Sequence, residues 1–270
     1  MHARGHGFTL VELLVVIAVI ALLMGVLLPS LSQARGSGMR MQGASNIRQL
    51  QLANTMYADD HAGRMMPGAI GMATTNLHRW HGTRESDGLP FEPEGGSITP
   101  YLDGESGSRG VRRCPALRIP EGVDRSEVWA FEENCGGYGY NALYLGAVMW
   151  RDHRGRMMMD RSRGALRARV RNPSETVAFA DCAMVTTDLI EYSFVRSPYW
   201  PQDGPAGDRP DPSIHFRHVG GTANVVWVDG HVSSERMTET KAEGIYGGSP
   251  REHGLGWFGE VDSNRLFDLD

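Results

Sequence analysis

Residues 8–28 read FTLVELLVVIAVIALLMGVLL, an apolar run in which Glu12 is the only charged residue. As an α-helix, this run would span about 31 Å, which matches the hydrocarbon core of a bilayer. A carboxylate inside such a span costs roughly 2–3 kcal/mol, so Glu12 needs a partner that compensates its charge. The run therefore predicts one membrane-crossing helix that carries a functional carboxylate near its start.

The segment before this run, residues 1–7, reads MHARGHG and contains no acidic residue; its one firm positive charge is Arg4. An ordinary secretory signal has a shorter apolar core and a small-residue cleavage site after it. A plain signal-anchor helix would have the same length and basic flank, but it would not require Glu12 or a glycine before Phe8. The arrangement resembles the class III signal of type IV prepilins and type II secretion pseudopilins.

The resemblance implies a defined processing pathway. In that family a membrane peptidase cuts after the glycine and methylates the new amine, which here implies cleavage between Gly7 and Phe8. Residues 1–7 would be the leader and residues 8–28 the transmembrane and assembly helix. Pro29, which follows directly, removes a helical hydrogen bond and favours a kink or a local melt.

Helical periodicity returns after a glycine-interrupted polar stretch at residues 30–43, which is a poor helix by intrinsic propensity. Ile47, Leu50 and Tyr57 recur on one face, and this spacing predicts an amphipathic helix that ends near Ala58. We therefore expect residues 29–60 to continue the helix into the domain. Residues 61–270 would form one globular pilin-like domain.

A hairpin is the clearest signal late in the chain. Residues 223–232 read ANVVWVDGHV, and Asp-Gly between apolar segments predicts a two-residue type I′ turn with positive φ at Asp229 and Gly230. Residues 177–181, VAFAD, predict a buried strand. A helix followed by antiparallel strands predicts an α+β fold, a long N-terminal helix packed on a C-terminal sheet with long loops.

A second resemblance covers most of the chain. His218, ten further residues and then Asp229-Gly230 are similar to the C-terminal His-x9-Asp-Gly signature of a prepilin-type family. The one extra residue disturbs any fixed geometry between His218 and the turn. Short motifs at residues 57–60, 114–115, 138–141 and 179–181 follow the order of that family.

Three cysteines form an odd set. An extracytoplasmic domain permits disulfides, so one pair and one spare thiol are expected. Cys114 and Cys135 lie in loop-like segments and are the candidate pair; Cys182 follows a strand-like run and is expected to be buried and inert.

Four residues near the end of the chain have side chains that can bind a metal: Asp181, His218, Asp229 and His231. Their spacing is not diagnostic, and an Asp-Gly turn needs no metal to explain it. We expect no cofactor. If a metal binds, Ca²⁺ at Asp229 or Asp181 is the expectation, because resembling pseudopilins carry a calcium loop.

Charge and motifs limit the remaining functions. The net charge of −5 argues against general nucleic-acid binding. Residues 151–171 hold eight arginines against Asp152 and Asp160, which predicts either a solvated loop or a contact surface for an acidic partner. No phosphate-binding, nucleophile-elbow or zinc-protease motif is present, so we expect no enzymatic activity.

The leading hypothesis is a structural subunit of an extracytoplasmic filament, either a type IV pilus or a type II secretion pseudopilus. Its partners would be other copies of itself, prepilin peptidase, the assembly machinery and, before assembly, the inner membrane, with the globular domain in the periplasm. The completed filament would lie in the periplasm or at the cell surface. Two alternatives remain, a minor pilin-like adhesin or polymer-binding surface protein, and a membrane-tethered metalloenzyme.

Overall fold

A single long helix dominates the computed structural model, which describes residues 10–102, 110–120, 132–202 and 207–269. Helix α1 runs from Leu10 to Asp60 without a break, so the backbone does not melt at Pro29. The glycine-containing stretch that follows is helical as well. The end at Asp60 agrees with the amphipathic helix expected to stop near Ala58.

Helix α1 has two halves with opposite surroundings. Residues 10–35 are exposed on all sides, and burial begins at Gly36. In the second half, residues three or four positions apart turn the same face inward. Ile47 and Leu50 are completely buried there, and each contributes about 1.5–3 kcal/mol of hydrophobic stabilisation.

Twelve short strands follow the helix. They are β1 (His78–Arg79), β2 (Gly82–Thr83), β3 (Tyr138–Tyr140), β4 (Val148–Arg151), β5 (Met157–Asp160), β6 (Val177–Asp181), β7 (Met184–Val185), β8 (Leu189–Ile190), β9 (Ile214–His215), β10 (Thr222–Trp227), β11 (Val232–Arg236) and β12 (Leu255–Gly256). Short 3-10 turns lie at Pro93–Gly95, Thr99–Tyr101 and Arg167–Arg169.

The central sheet has four antiparallel strands in the order β11-β10-β6-β3. Because neighbouring side chains on a strand point to opposite faces, Val226 packs in the cluster that includes α1, and Val225 packs in a second cluster with Phe258 and Phe267. The sheet is therefore covered on both faces. The fold is α+β with a pilin-like architecture, as predicted.

The hairpin between β10 and β11 differs from the predicted two-residue turn. Gly230 has φ of +91°, but Asp229 does not have positive φ. The Gly230 amide donates to the Trp227 carbonyl at 2.9 Å, and the Trp227 amide donates to the His231 carbonyl at 3.0 Å. The loop thus has three residues with a left-handed glycine in the last position, the form that needs positive φ only once.

Candidate functional site

The exposed half of α1 is the first functional feature. Among the described residues, α1 is the one helix long and apolar enough to cross a membrane, and its most apolar window has a mean hydropathy of 3.0. Its large side chains are unusually exposed: Leu10 is 79 % exposed and Leu22 is 72 % exposed. A helix that is apolar on all sides is stable only in lipid or among other helices.

Glu12 lies in the first turn of this exposed half. Gly7 and Phe8, the predicted processing residues, lie outside the residues that the structure describes. Residues 10–35 would span about 39 Å as a helix, enough to cross a bilayer with length to spare.

A buried polar network lies where the second half of α1 meets the sheet. Asp181 ends β6, His218 precedes β10, and Asn224 lies within β10. Oδ2 of Asp181 is 2.9 Å from Nε2 of His218 and accepts the Asn224 amide at 2.7 Å. The Asp181 and His218 side chains are fully buried, so this carboxylate connects two segments that the sequence separates by 37 residues.

The network also touches α1 directly. Nδ2 of Asn224 donates to the Arg40 carbonyl at 3.1 Å. A Cβ on Gly43 would lie 3.1 Å from that same nitrogen and 3.5 Å from the His218 ring, and a Cβ on Gly36 would lie 2.3 Å from Cγ2 of Val219. Glycine therefore lets the helix approach the network closely, which explains why a stretch of poor helix propensity is helical here.

Electrostatics keep Asp181 ionised. Burial raises its pKa, but the nearby Arg217 charge and the hydrogen bond with His218 together outweigh burial, so the pKa of Asp181 lies below its usual value. Nη2 of Arg217 is 3.6 Å from Oδ1 of Asp181 and donates to the Gly137 carbonyl at 2.6 Å. The buried carboxylate and the buried guanidinium compensate each other.

Cys114 completes this cluster. Its thiol, the Asp181 carboxylate and a His218 ring nitrogen lie within 4.8 Å of one another, and all three residues are buried. Thiol, imidazole and carboxylate are also the groups of a cysteine nucleophile site. Burial and the Asp181 charge together raise the pKa of Cys114 to about 11, so the thiol stays protonated and is a poor nucleophile.

The predicted metal-binding residues lie in two places. Asp181 and His218 meet in the buried network, but Asp229 and His231 pair with each other in the hairpin loop, where Oδ1 of Asp229 is 2.7 Å from Nδ1 of His231. A sulfur and an imidazole beside one carboxylate do not suit Ca²⁺, which prefers six to eight oxygens. They suit Zn²⁺ better, but Arg217 already supplies the positive charge that Asp181 requires.

The predicted Cys114–Cys135 disulfide is not formed. All three cysteines are free and buried. The backbones do approach, since the Cys114 amide donates to the Gly136 carbonyl at 2.9 Å, but the Cys114 thiol faces Asp181 and His218. Cys182 is buried as predicted, and burial raises its pKa to about 12.

The arginine-rich segment is partly neutralised within the chain. It forms the β4–β5 hairpin and the loop after it, where Arg156 pairs with Asp152, Arg163 with Asp160, and Arg167 with Asp59 of α1. Beside the hairpin lies a cleft of about 560 Å³ that Trp150, Arg151 and Arg169 help to line.

The sequence analysis did not identify three polar residues whose side chains connect distant segments of the chain: Arg217, Asn224 and Asn46. Nδ2 of Asn46 donates to the carbonyls of Gly110 and Arg113, 3.1 Å in both cases, from a buried position on α1. An asparagine on the apolar face of an amphipathic helix was the available signal, because a buried amide needs partners.

The comparison with known proteins supports the interpretation of the N-terminal segment of the chain. Residues 3–28 match the family described as the prokaryotic N-terminal methylation motif, which is the prepilin-type signature. No match was found among curated proteins or among solved structures. The matched residues cover positions 3–7 of the predicted leader and positions 10–28 of the exposed half of α1.

The motif at residues 3–28, together with the exposed helix, supports a prepilin-type pilin or pseudopilin that is a substrate of prepilin peptidase. The motif implies processing by that peptidase and assembly into pili or pseudopili. With the apolar helix, it indicates membrane anchoring followed by placement in an extracellular filament. It is a structural motif of pilins and does not define an enzyme family.

Proposed function

We propose that this protein is a structural subunit of an extracytoplasmic filament, a type IV pilus or a type II secretion pseudopilus. The observation that carries the proposal is the exposed half of α1: residues 10–35 are exposed along their whole length in the part of the chain that the structure describes. So large an apolar surface needs lipid before assembly and the equivalent helices of other subunits after it. The inner membrane and further copies of the chain supply these two environments in turn.

Glu12 would favour the transfer of the subunit from the membrane to the filament. In lipid its carboxylate is unfavourable by about 2–3 kcal/mol. In the filament it would pair with the methylated amine of Phe8 in an adjacent subunit, which compensates a buried charge with an opposite one. In the filament, a processed neighbour would thus provide the subunit with an electrostatic stabilisation that lipid does not.

A minor adhesin or polymer-binding protein is the second candidate. The cleft beside the β4–β5 hairpin favours it, because Trp150 is 47 % exposed there and lies beside Arg151 and Arg169, which have no ion pair among the described residues. A metalloenzyme has no comparable support, since the four predicted ligands lie in two separate places.

The Glu12→Ala variant tests the leading proposal. We expect normal membrane insertion and normal cleavage but no filaments, because the variant lacks the partner of the Phe8 amine. Glu12→Gln should behave in the same way, since it keeps the size and removes the charge. Glu85→Ala, which removes an exposed carboxylate of the globular domain, is the matched control and should assemble.

The measurement combines membrane fractionation, the intact mass of the mature chain and a sheared-filament assay. A mature chain that begins at methylated Phe8 is expected in all variants. Normal filaments from Glu12→Ala would refute the pairing, and a mature start at Met1 would refute the prepilin assignment itself. A filament made in great excess supports a major subunit, and a trace amount supports the tip protein.

A further inference from the structure

A second, smaller cavity lies apart from both the exposed helix and the buried network. Its volume is about 180 Å³, and two guanidiniums and four aromatic rings make up its functional lining. These residues are Arg161, Arg196, Tyr192, Phe194, Trp200 and Tyr246. No acidic residue of the described chain lines it, so the cavity is aromatic and positively charged.

Arg196 is the residue that most needs a partner. It is only 8 % exposed, and its Nε donates to the Tyr192 hydroxyl at 2.8 Å. Its guanidinium carbon lies 4.7 Å from the ring centre of Tyr192, 5.6 Å from that of Trp200 and 5.7 Å from that of Tyr246. Among the described residues no carboxylate forms an ion pair with it.

The surroundings of Arg196 keep it charged. Burial lowers its pKa, but Tyr192 and Tyr246 outweigh burial and raise it. Neutral hydroxyls and ring faces stabilise a cation only in part, whereas a buried charge is fully compensated by an anion with matching hydrogen bonds. The guanidinium is therefore ready to receive an anionic group.

Arg161 adds a second positive charge to the same cavity. Its Nε is buried and has no hydrogen-bond partner among the residues that the structure describes. Burial and the charge of Arg79 lower its pKa. The Glu132 carboxylate already pairs with Arg79 at 3.0 Å, so it has a cationic partner of its own.

We propose that this cavity binds the carboxylate of a small ring-shaped molecule, with the carboxylate on Arg196 and Arg161 and the ring against Trp200 and Tyr246. The planar fork of arginine matches a carboxylate, and the aromatic walls match a flat ring. Tyr246 is 40 % exposed, which places the entrance beside it. This binding activity goes beyond the proposed filament role.

Binding to the full-length chain in detergent tests the proposal without any mutation. The probes are benzoate and glucuronate, each beside its neutral counterpart, benzamide and glucose, observed by ligand NMR and by Trp fluorescence. We expect at least one acid to bind about tenfold or more tightly than its counterpart, since a hydrogen bond to a charged group contributes about 1.5–3 kcal/mol. Preference for benzoate identifies an aromatic acid, and preference for glucuronate identifies a sugar acid. Equal affinity within both pairs, or binding of neither acid, overturns the proposal.

Variants then locate the site. Arg196→Gln should weaken the acid about tenfold, and Arg161→Gln, at a less buried position, serves if the first variant does not fold. Arg167→Gln is the matched control, an exposed arginine that does not line the cavity. Unchanged affinity in the folded cavity variants, or an equal loss in the control, would also overturn the proposal.

Discussion

The two halves of α1 are one continuous helix, yet different forces stabilise them. Residues 10–35 are exposed within the described part of the chain, and an apolar surface of this size requires lipid or neighbouring helices. Residues 36–60 bury Ile47 and Leu50 completely and touch a polar network through Arg40 and Gly43. The difference teaches that helix continuity says little about function, since the surroundings of each half decide what it does.

The largest expected effect comes from removing the charge at the centre of the network. Asp181→Asn keeps the shape of the side chain but leaves Arg217 buried without its carboxylate, so we expect a loss of about 3–5 kcal/mol in the free energy of unfolding. Denaturant unfolding of a chain that begins at residue 29 measures it. Asp229→Asn, at the exposed hairpin loop, is the control and should cost less than about 0.5 kcal/mol. Similar losses in both variants would contradict a special role for the network.

Acid should lower the free energy of unfolding of the globular domain. Burial and Arg217 lower the pKa of His215 to about 3, below its ordinary value of about 6.5. A lowered pKa means that the unfolded chain binds the proton first, so this stability is complete above pH 6.5 and is lost progressively as the pH falls toward 3. Asp181, with a lowered pKa, adds a further loss below about pH 3.9.

Thermal melts across this pH range, with His215→Gln beside the parent chain, measure the effect. The variant should lose about one proton of the pH dependence between pH 6.5 and pH 3, or about 1.4 kcal/mol per pH unit. An identical slope in parent and variant would show that His215 does not titrate as the structure indicates.

Glycine substitutions within the second half of α1 test the close approach of the helix to the polar network. Gly43→Leu would force a side chain into Asn224 and His218, so we expect a loss of about 1–3 kcal/mol. Gly38, which has nothing within 4 Å, is the matched control; Gly38→Ala should stabilise the helix by about 0.5–1 kcal/mol. Urea unfolding of the shortened chain distinguishes them. Stabilisation by both changes would mean that helix propensity, and not close approach, decides the effect at Gly43.

Calcium should have the smallest effect. Because Arg217 compensates the Asp181 charge, and Oδ1 of Asp229 already accepts a hydrogen bond from the His231 amide, we expect no change in Tm between added Ca²⁺ and chelator. A clear Ca²⁺-dependent rise that disappears in Asp229→Asn would show that the hairpin loop is a metal site.

Sequence reasoning was strongest where the signal was local and physical. Apolar length around Glu12, the spacing of Ile47 and Leu50, and the glycine at position 230 each act over a few residues, and the structure confirms the elements that they predicted. The predicted turn was wrong in length, because the loop has three residues instead of two. The glycine signal did not distinguish these forms, since a three-residue loop also places glycine at positive φ. The Cys114–Cys135 pair was wrong because two loops can meet while their side chains point in different directions.

The sequence by itself determined the apolar, exposed half of α1 and the prepilin-type signature, because hydrophobic length and a short local motif need no tertiary context. Only the tertiary structure decided which polar residues meet. Asp181, His218 and Cys114 come from distant parts of the chain, and Arg196 lies in an aromatic cavity built from several loops. Such clusters depend on long-range packing, which residue spacing alone does not encode.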